Sequence, residues 1–499
     1  MPLDSLHFDN TWSRLPEDFF TPVAPTPWRG TRVLDISPLG TAQLGLDIDV
    51  IDHDRLAALM AGHELLPGMA PIAQKYTGHQ FGSYNPALGD GRGLLLGEAM
   101  TLNGPMDLHL KGAGQTPYSR FGDGRAVLRS SIREYLAGEA MSGLGIPTTT
   151  ALAVAVNEER VMRERVEPGA TLLRLAPSHA RFGHFEWLYQ RRKVEDMRSL
   201  AWHLIHRHRP ELAECEAPFE ALFTDVVERT ATLIAAWQAY GFVHAVMNTD
   251  NMSMLGLTLD YGPFAFMERF QPSWTPNHTD AGGRYAFDQQ PGVALWNLTV
   301  LAQALRPLID VERLREILDR FEPILQDAYG ERMRARLGLS AMAESDGETG
   351  DASPGDASLV SAWLSLLARH EADFPTAFRA LGDYRGGREG RERLAVALEI
   401  APDSEALIAW LDSYDQRLER ETRTADERQR AMHAVNPRYV LRTHLAQRVI
   451  EAAEAGDNAP LKRFRERLAA PFEMHDDRDE DWLTPPPPST PPVCLSCSS

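Results

Sequence analysis

Residues 244–264 read HAVMNTDNMSMLGLTLDYGPF. Asp250 and Asn251 stand at one end of a short apolar run (Met254, Leu255, Leu257, Leu259), and Asp260 stands at the other. The pattern predicts a tight β-hairpin that returns the second aspartate beside the first, so that carboxylate, amide and carboxylate share one end. Those oxygens are what a hard cation such as Mg²⁺ takes when it also holds substrate phosphates. Asp and Asn also cap turns, and on these residues alone both readings stand. The choice turns on whether the rest of the chain supplies contacts for a phosphate-bearing ligand.

Upstream, Gly89-Asp-Gly91-Arg92-Gly93 is a glycine-rich turn followed at once by the apolar run Leu94–Leu96. Such a turn lets backbone N–H groups approach a phosphate, with Arg92 adding charge. It can equally be a plain hairpin turn. Without a following Gly-Lys-Ser/Thr, and with the strand after the turn, it matches neither the P-loop nor the dinucleotide fingerprint. Residues 107–111, DLHLK, alternate as a strand with Leu108 and Leu110 on one face and Lys111 at the end. A second polar turn holds Asp123, Gly124 and Arg125, and residues 126–143 then follow the 3.6-residue helical period, with Glu134 inside. A strand lysine followed by a helix glutamate is how kinase-like folds orient a lysine on ATP phosphates. Strands are predicted over 148–156 and 171–175, with Arg174 in the second and Arg181 seven residues on, a pair suited to gripping a phosphate tail.

The chain has 499 residues, 43% of them apolar and 24% charged, which suits a soluble protein of two or three packed units. Its net charge of −19 opposes general binding of nucleic acid or anionic membranes, so an anionic ligand must be met by a local cation cluster. No membrane span and no secretory signal is read, and three cysteines (215, 494, 497) permit no disulfide framework, so a cytoplasmic setting is expected. The run 231–247 reads as a buried helix entering the opening motif. Later helices are expected over 219–240, 293–305, 311–327, 359–370 and 405–422, and after Pro437. The acidic stretch 344–358 is expected to be a mobile insertion, and the Pro-rich tail from 476 is not expected to pack. His179 and His184 lack zinc spacing, and so do His203, His206 and His208.

Taken together these features resemble a protein-kinase-like fold, and more closely the selenoprotein O family of atypical kinases that act as protein AMPylases. The strings that carry the resemblance are YTGHQFG, NPALGDGRGLLLGE, LHLKGAGQTPYSRFGDGRAVLRSSIREYL, FVHAVMNTDNMS, LDYGPFAFMERF, NHTDAGGRYAFDQQP and NPRYVLRTHLAQ. They span almost the whole chain. Kinase catalytic-loop spacing counted from His244 puts Val246 where the catalytic aspartate belongs and Asn251 where the metal-binding asparagine belongs. Valine cannot accept a proton, which leaves Asp250 as the available replacement.

The resemblance implies an α/β (α+β) protein-kinase-like two-lobed fold: an N-terminal extension (1–75), a nucleotide-binding N-lobe (76–190), a large helical C-lobe (191–475) and a tail (476–499) with a CxxC. It implies ATP as substrate, bound flipped relative to ordinary kinases, and AMP transfer to Ser, Thr or Tyr hydroxyls of proteins with release of pyrophosphate. Lys111 then contacts phosphate and pairs with Glu134. Gly89, Gly91, Arg92, Asp123 and Gly124 line the nucleotide site, and Arg174 and Arg181 hold the phosphate tail. Asp250 is the proton acceptor, while Asn251 and Asp260 bind Mg²⁺ or Mn²⁺. The rival readings are γ-phosphoryl transfer and a non-catalytic ATP-binding scaffold. Family members can join a C-terminal cysteine or selenocysteine to a cysteine of the activation segment. Here Pro276 stands where that partner is sought, so no long-range clamp is expected, and Cys215 is expected to be a buried thiol.

Overall fold

Between residues 93 and 176 leucine, valine and alanine recur with the alternation of strands, and the computed structural model, which describes residues 1–340, 355–475, 480–486, 493 and 495–496, builds a sheet from them. Its strands are β1 (Phe20–Pro22), β2 (Arg32–Ile36), β3 (Ile72–Gln74), β6 (Gly93–Thr101), β7 (Gly104–Lys111), β8 (Ala126–Val127), β9 (Thr150–Met162) and β10 (Val166–Ala176), while β4 (Gly78–Gln80) and β5 (Ser83–Asn85) form a separate hairpin. The order is β1-β3-β6-β7-β10-β9-β2, with β8 beside β10, and every pairing is antiparallel. Three of these strands come from residues before 76, so the N-terminal segment completes both edges of the sheet.

The two faces of β7 are dressed differently, and this positions the site. Leu108 and Leu110 lie opposite Leu175 and Leu173 and pack with Leu56 and Leu59 of helix His53–Met60. His109 and Lys111 lie opposite Arg174 and Leu172 on the other face. That face is covered by helix α1 (Leu128–Gly143), whose Leu128, Ile132, Tyr135 and Leu136 are buried with Leu95 and Leu172. Each such side chain contributes about 1.5–3 kcal/mol through apolar burial, so the α1–sheet contact outweighs the cost of seating a few charges between them. The predicted helix over 126–143 loses its first two residues to β8, because Ala126 and Val127 pair with Ala170 and Gly169.

The remainder is mainly helical. Helix α2 (Pro218–Tyr240) ends at Gly241, whose φ of 71° suits a residue without Cβ, so the helix expected over 231–247 stops seven residues early. The span 311–327 divides into Val311–Leu318 and Phe321–Arg336. The other helices expected are found as Gln290–Leu305, Asp356–His370, Glu405–Leu418 and Thr443–Glu454. Most of the insertion expected over 344–358 lies outside the described residues, as do Cys494 and Cys497. Where the tail is described it packs, contrary to expectation. Trp482 stacks on Phe464 with centroids 4.9 Å apart, and Leu495 is buried and bridges Asn277. Cys215 is exposed, not buried. No helix among the described residues is long and apolar enough to cross a membrane.

Candidate active site

Antiparallel register puts Lys111, the last residue of β7, beside Gly93, the first of β6, so the glycine-rich turn 89–93 lies at the sheet end where the lysine emerges. The Arg92 carbonyl accepts from Gly112 N–H at 2.7 Å, which ties that turn to the end of β7. The second turn docks on the first: Thr116 Oγ1 donates to Asp90 O at 2.6 Å, and Gly114 N–H donates to Gly124 O at 3.0 Å. Gly124 has φ +70° and lies against the Gly114 backbone, where a Cβ would collide. Asp123 accepts two bonds of 2.8 Å from Arg163, which hold its carboxyl below the usual carboxylate range. It therefore stands at the rim, without an ion pair to the central charges.

Those central charges do meet. Lys111 Nζ donates to Glu134 Oε2 at 2.6 Å, both side chains being almost wholly buried (1% and 4% exposed). Arg174 pairs bidentately with the same carboxylate and reaches Asp260 Oδ1 at 3.3 Å. Arg181 pairs with Asp260 Oδ2 and donates to the Asp250 carbonyl at 2.8 Å, while its guanidinium lies 4.8 Å over the Tyr76 ring. Burial pushes Lys111 down to about 8 against the pull of Glu134. Burial works against the carboxylates too, but Arg174 and Lys111 hold Glu134 down to about 2, and Arg181 and Arg174 hold Asp260 far below its ordinary value. Arg92 makes no ion pair among the described residues and lies in the field of Arg174, Glu134 and Asp260. The four cations Arg92, Lys111, Arg174 and Arg181 thus outnumber the three firmly ionised carboxylates Glu134, Asp260 and Asp90. In a chain of net charge −19, this is the local excess a polyanion requires.

The expected hairpin between Asp250 and Asp260 is not what brings the aspartates together. Strands β11 (Phe242–Val243) and β12 (Ala265–Phe266) pair outside the motif. The run between the aspartates gives its backbone bonds to other segments: Phe182 N–H to Met252 O, Met254 N–H to Ala180 O, and Thr258 N–H to Pro147 O. Pairing with 180–182 delivers Arg181 to both aspartates, which self-pairing would not do. His244 stacks on Trp237 and, through Nε2, donates to Leu259 O at 2.9 Å, pinning the far end of the run. Asp260 follows with φ 60°, a left-handed conformation that aspartate tolerates better than most residues.

Asp250 and Asn251 occupy a single 3-10 turn, Thr249–Asn251. Asn251 Nδ2 donates to Val246 O at 2.9 Å, and its Oδ1 takes no hydrogen bond among the described residues. That oxygen and the Asp260 carboxylate are hard donors of the kind that Mg²⁺ or Mn²⁺ takes together with phosphate oxygens. Burial pushes the Asp250 carboxyl up to about 7 against the opposing charge of Arg181. Its Oδ2 accepts from Gln80 Nε2 at 3.2 Å, and its Oδ1 is buried with no partner among the described residues.

The sequence reading missed Asp90, His109, Tyr76 and Gln80. Asp90 is buried beneath the first turn, accepting from Gln74 N–H (3.0 Å) and Tyr76 hydroxyl (3.4 Å) and facing His109 Nε2 at 3.4 Å. His109 could have been found from its alternation with Lys111, and Tyr76 and Gln80 from the polar content of the glycine-bearing string YTGHQFG.

Known proteins carry the same pattern. The sequence pattern of the family described as Protein adenylyltransferase SelO matches residues 2–469. A protein nucleotidyltransferase YdiU of Chromohalobacter salexigens is 64% identical, over all of this chain and 99% of that protein. Proteins of the same description from Pseudomonas aeruginosa (strain LESB58) and Cronobacter sakazakii are each 48% identical, over 97% of both chains and 99% of both chains respectively. The chain is an enzyme, a protein nucleotidyltransferase, and belongs to the SelO family.

Proposed function

We propose that this chain is a protein AMPylase of kinase-like, two-lobed construction, with the sheet and residues to about 190 forming the first lobe and the helical remainder the second. It transfers AMP from ATP to Ser, Thr or Tyr hydroxyls of proteins. The observation that carries the reading is the cluster itself: Lys111 and Arg174 on Glu134, Arg174 and Arg181 on Asp260, and Arg92 beside them without an ion pair among the described residues. Within the cluster Arg174 and Arg181 are buried while Arg92 is only half-buried, which supports a flipped nucleotide with its terminal phosphates turned inward and its α-phosphate toward the acceptor.

The acceptor hydroxyl oxygen bonds to the α-phosphorus, the bond from that phosphorus to the bridging oxygen breaks, and pyrophosphate leaves. Asp250 takes the hydroxyl proton. Lys111, oriented by Glu134, and the arginines neutralise the phosphate oxygens, and the glycine turns admit backbone N–H groups to them. Asn251 and Asp260 would hold Mg²⁺ or Mn²⁺, which would supply further neutralisation of the phosphates. Positioning and charge neutralisation are most of what phosphoryl-type transfer asks of a protein.

Incubation with ATP labelled at the α or the γ position is the test. Label entering protein from the α position, with a mass gain of one AMP unit, is expected. Label entering from the γ position alone overturns the proposal in favour of phosphoryl transfer, and ATP binding without turnover leaves a scaffold.

A further inference from the structure

The β4–β5 hairpin, GHQFGSYN over 78–85, has no part in the chemistry above, yet it is fastened to the turn that carries Asp250 at three successive residues. His79 N–H donates to Thr249 Oγ1 at 2.7 Å, Gln80 Nε2 to Asp250 Oδ2 at 3.2 Å, and Phe81 N–H to Asn248 Oδ1 at 3.2 Å. Tyr285 closes the arrangement by donating its hydroxyl to the same Asn248 oxygen at 2.6 Å. Gly78 lies directly on the carboxylate, since a Cβ there would come within 2.6 Å of Asp250 Oδ1.

The orientation of the Gln80 amide is fixed from behind. Asn85 Nδ2 donates to Gln80 Oε1 at 3.1 Å, so the amide oxygen is held away and Nε2 must face Asp250. Asn85 is held in turn, because its Oδ1 accepts from Ala87 N–H at 3.1 Å. The two oxygens of Asp250 are therefore not equivalent. Oδ1 is shut beneath Gly78 without a partner, while Oδ2 accepts one bond from Gln80 and keeps a second lone pair.

We infer that Gln80, oriented by Asn85, is a positioning residue that turns the Asp250 carboxylate so that Oδ2 receives the acceptor's hydroxyl proton. This rests on the reading of Asp250 as the proton acceptor. The hydroxyl hydrogen passes to the free lone pair of Oδ2 while the hydroxyl oxygen bonds to the α-phosphorus and pyrophosphate departs, and the Gln80 bond is kept throughout. A carboxylate that swings from this pose loses the alignment, and misplacement by about 1 Å costs on the order of a hundredfold in rate.

The experiment measures AMP transfer from α-labelled ATP, by self-modification and with casein as acceptor. The variants are Gln80→Met, which keeps the length and removes the donor, Asn85→Asp, which keeps the acceptor for Ala87 and removes the donor, and the pair together. Gln80→Met is expected to lower kcat about tenfold or more with KM for ATP within about twofold of the parent. Asn85→Asp is expected to lower kcat less, and to add nothing once Gln80 is methionine, because it acts only through that amide. An unchanged kcat in Gln80→Met overturns the inference, as does a rise in KM that matches the fall in rate, or a multiplying effect of the second change. Asp250→Asn separates the two readings. If it transfers AMP at the parental rate, the proton-acceptor reading falls and this one with it. If it is inactive while Gln80→Met keeps parental kcat, only the positioning role is lost.

Discussion

Replacing Asp250 by asparagine should raise stability and abolish transfer at once. The carboxyl is 7% exposed, and burial pushes its pKa up to about 7 from the ordinary 3.8. A carboxyl whose folded value exceeds its unfolded value costs nothing at pH well below 3.8, where both states are protonated. The cost grows through the interval and is complete above 7, where the folded state must hold the charge. At 1.36 kcal/mol per unit this amounts to about 4 kcal/mol at pH 8 and about 2 kcal/mol at pH 5.5. Asparagine removes the cost, but places an amide N–H group where Oδ1 has no partner, returning about 1–3 kcal/mol. The amide penalty does not change with pH. The gain of Asp250→Asn over the parent should therefore be about 2 kcal/mol larger at pH 8 than at pH 5.5. Urea unfolding in EDTA at the two pH values reads that difference, and transfer from α-labelled ATP reads the activity, expected to fall by about a hundredfold or more. A variant less stable than the parent at pH 8, or a gain independent of pH, would refute the account of the charge.

Glu139 gives a control with the same sign and no loss of function. Burial pushes its carboxyl up to about 7 from 4.5 while Ser37 donates to it, so Glu139→Gln should gain about 3 kcal/mol at pH 8.5 and about 1 kcal/mol at pH 5, with transfer unchanged; equal gains at both pH values in urea unfolding would sink the claim. Lys111→Met should reduce transfer by at least about a hundredfold while circular dichroism stays parental, because Arg174 still neutralises Glu134; collapse of the spectrum would make the lysine structural instead. Chelation by EDTA should stop transfer, and Asn251→Ala should need more Mn²⁺ than the parent for half-maximal rate. An unchanged Mn²⁺ requirement would remove Asn251 from the ion.

Much of the site was legible because charged residues at ordered spacings have few reasons to be buried. Lys111 and Glu134 could be placed on a strand and a helix from periodicity, and their meeting follows from α1 covering the face on which Lys111 stands. The pairing of the segment between the aspartates was not legible. Its apolar alternation is the same whether it pairs with itself or with Ala180–Phe182 and Pro147, and only the tertiary arrangement decides which backbone donors reach it. For the same reason Gln80 and Asn85 were invisible as a pair: a glutamine and an asparagine in a polar hairpin look like solvated residues until the hairpin is seen lying against Asp250.

On the proposed reading, the absence of self-pairing also explains how Asp250 serves as base away from the usual kinase position. In kinase spacing the aspartate precedes the metal asparagine by five residues, and here Val246, buried and inert, holds that place. The Val246 carbonyl accepts from Asn251 Nδ2, so the backbone at the kinase base position orients the residue proposed here as a metal ligand. Moving the carboxylate to 250 puts it in a one-turn helix, where Arg181 holds its carbonyl and the β4–β5 hairpin holds its side chain. Arg181 Nη1 contacts both the Asp250 carbonyl and the Asp260 carboxylate, so a single guanidinium couples the geometry of the proposed proton acceptor and the proposed ion site. Both contacts come from the one Nη1, so Arg181→Lys, whose ammonium ends a shorter side chain, reaches them only if the aspartates move toward it. Such a variant should therefore lose turnover even where ATP still binds.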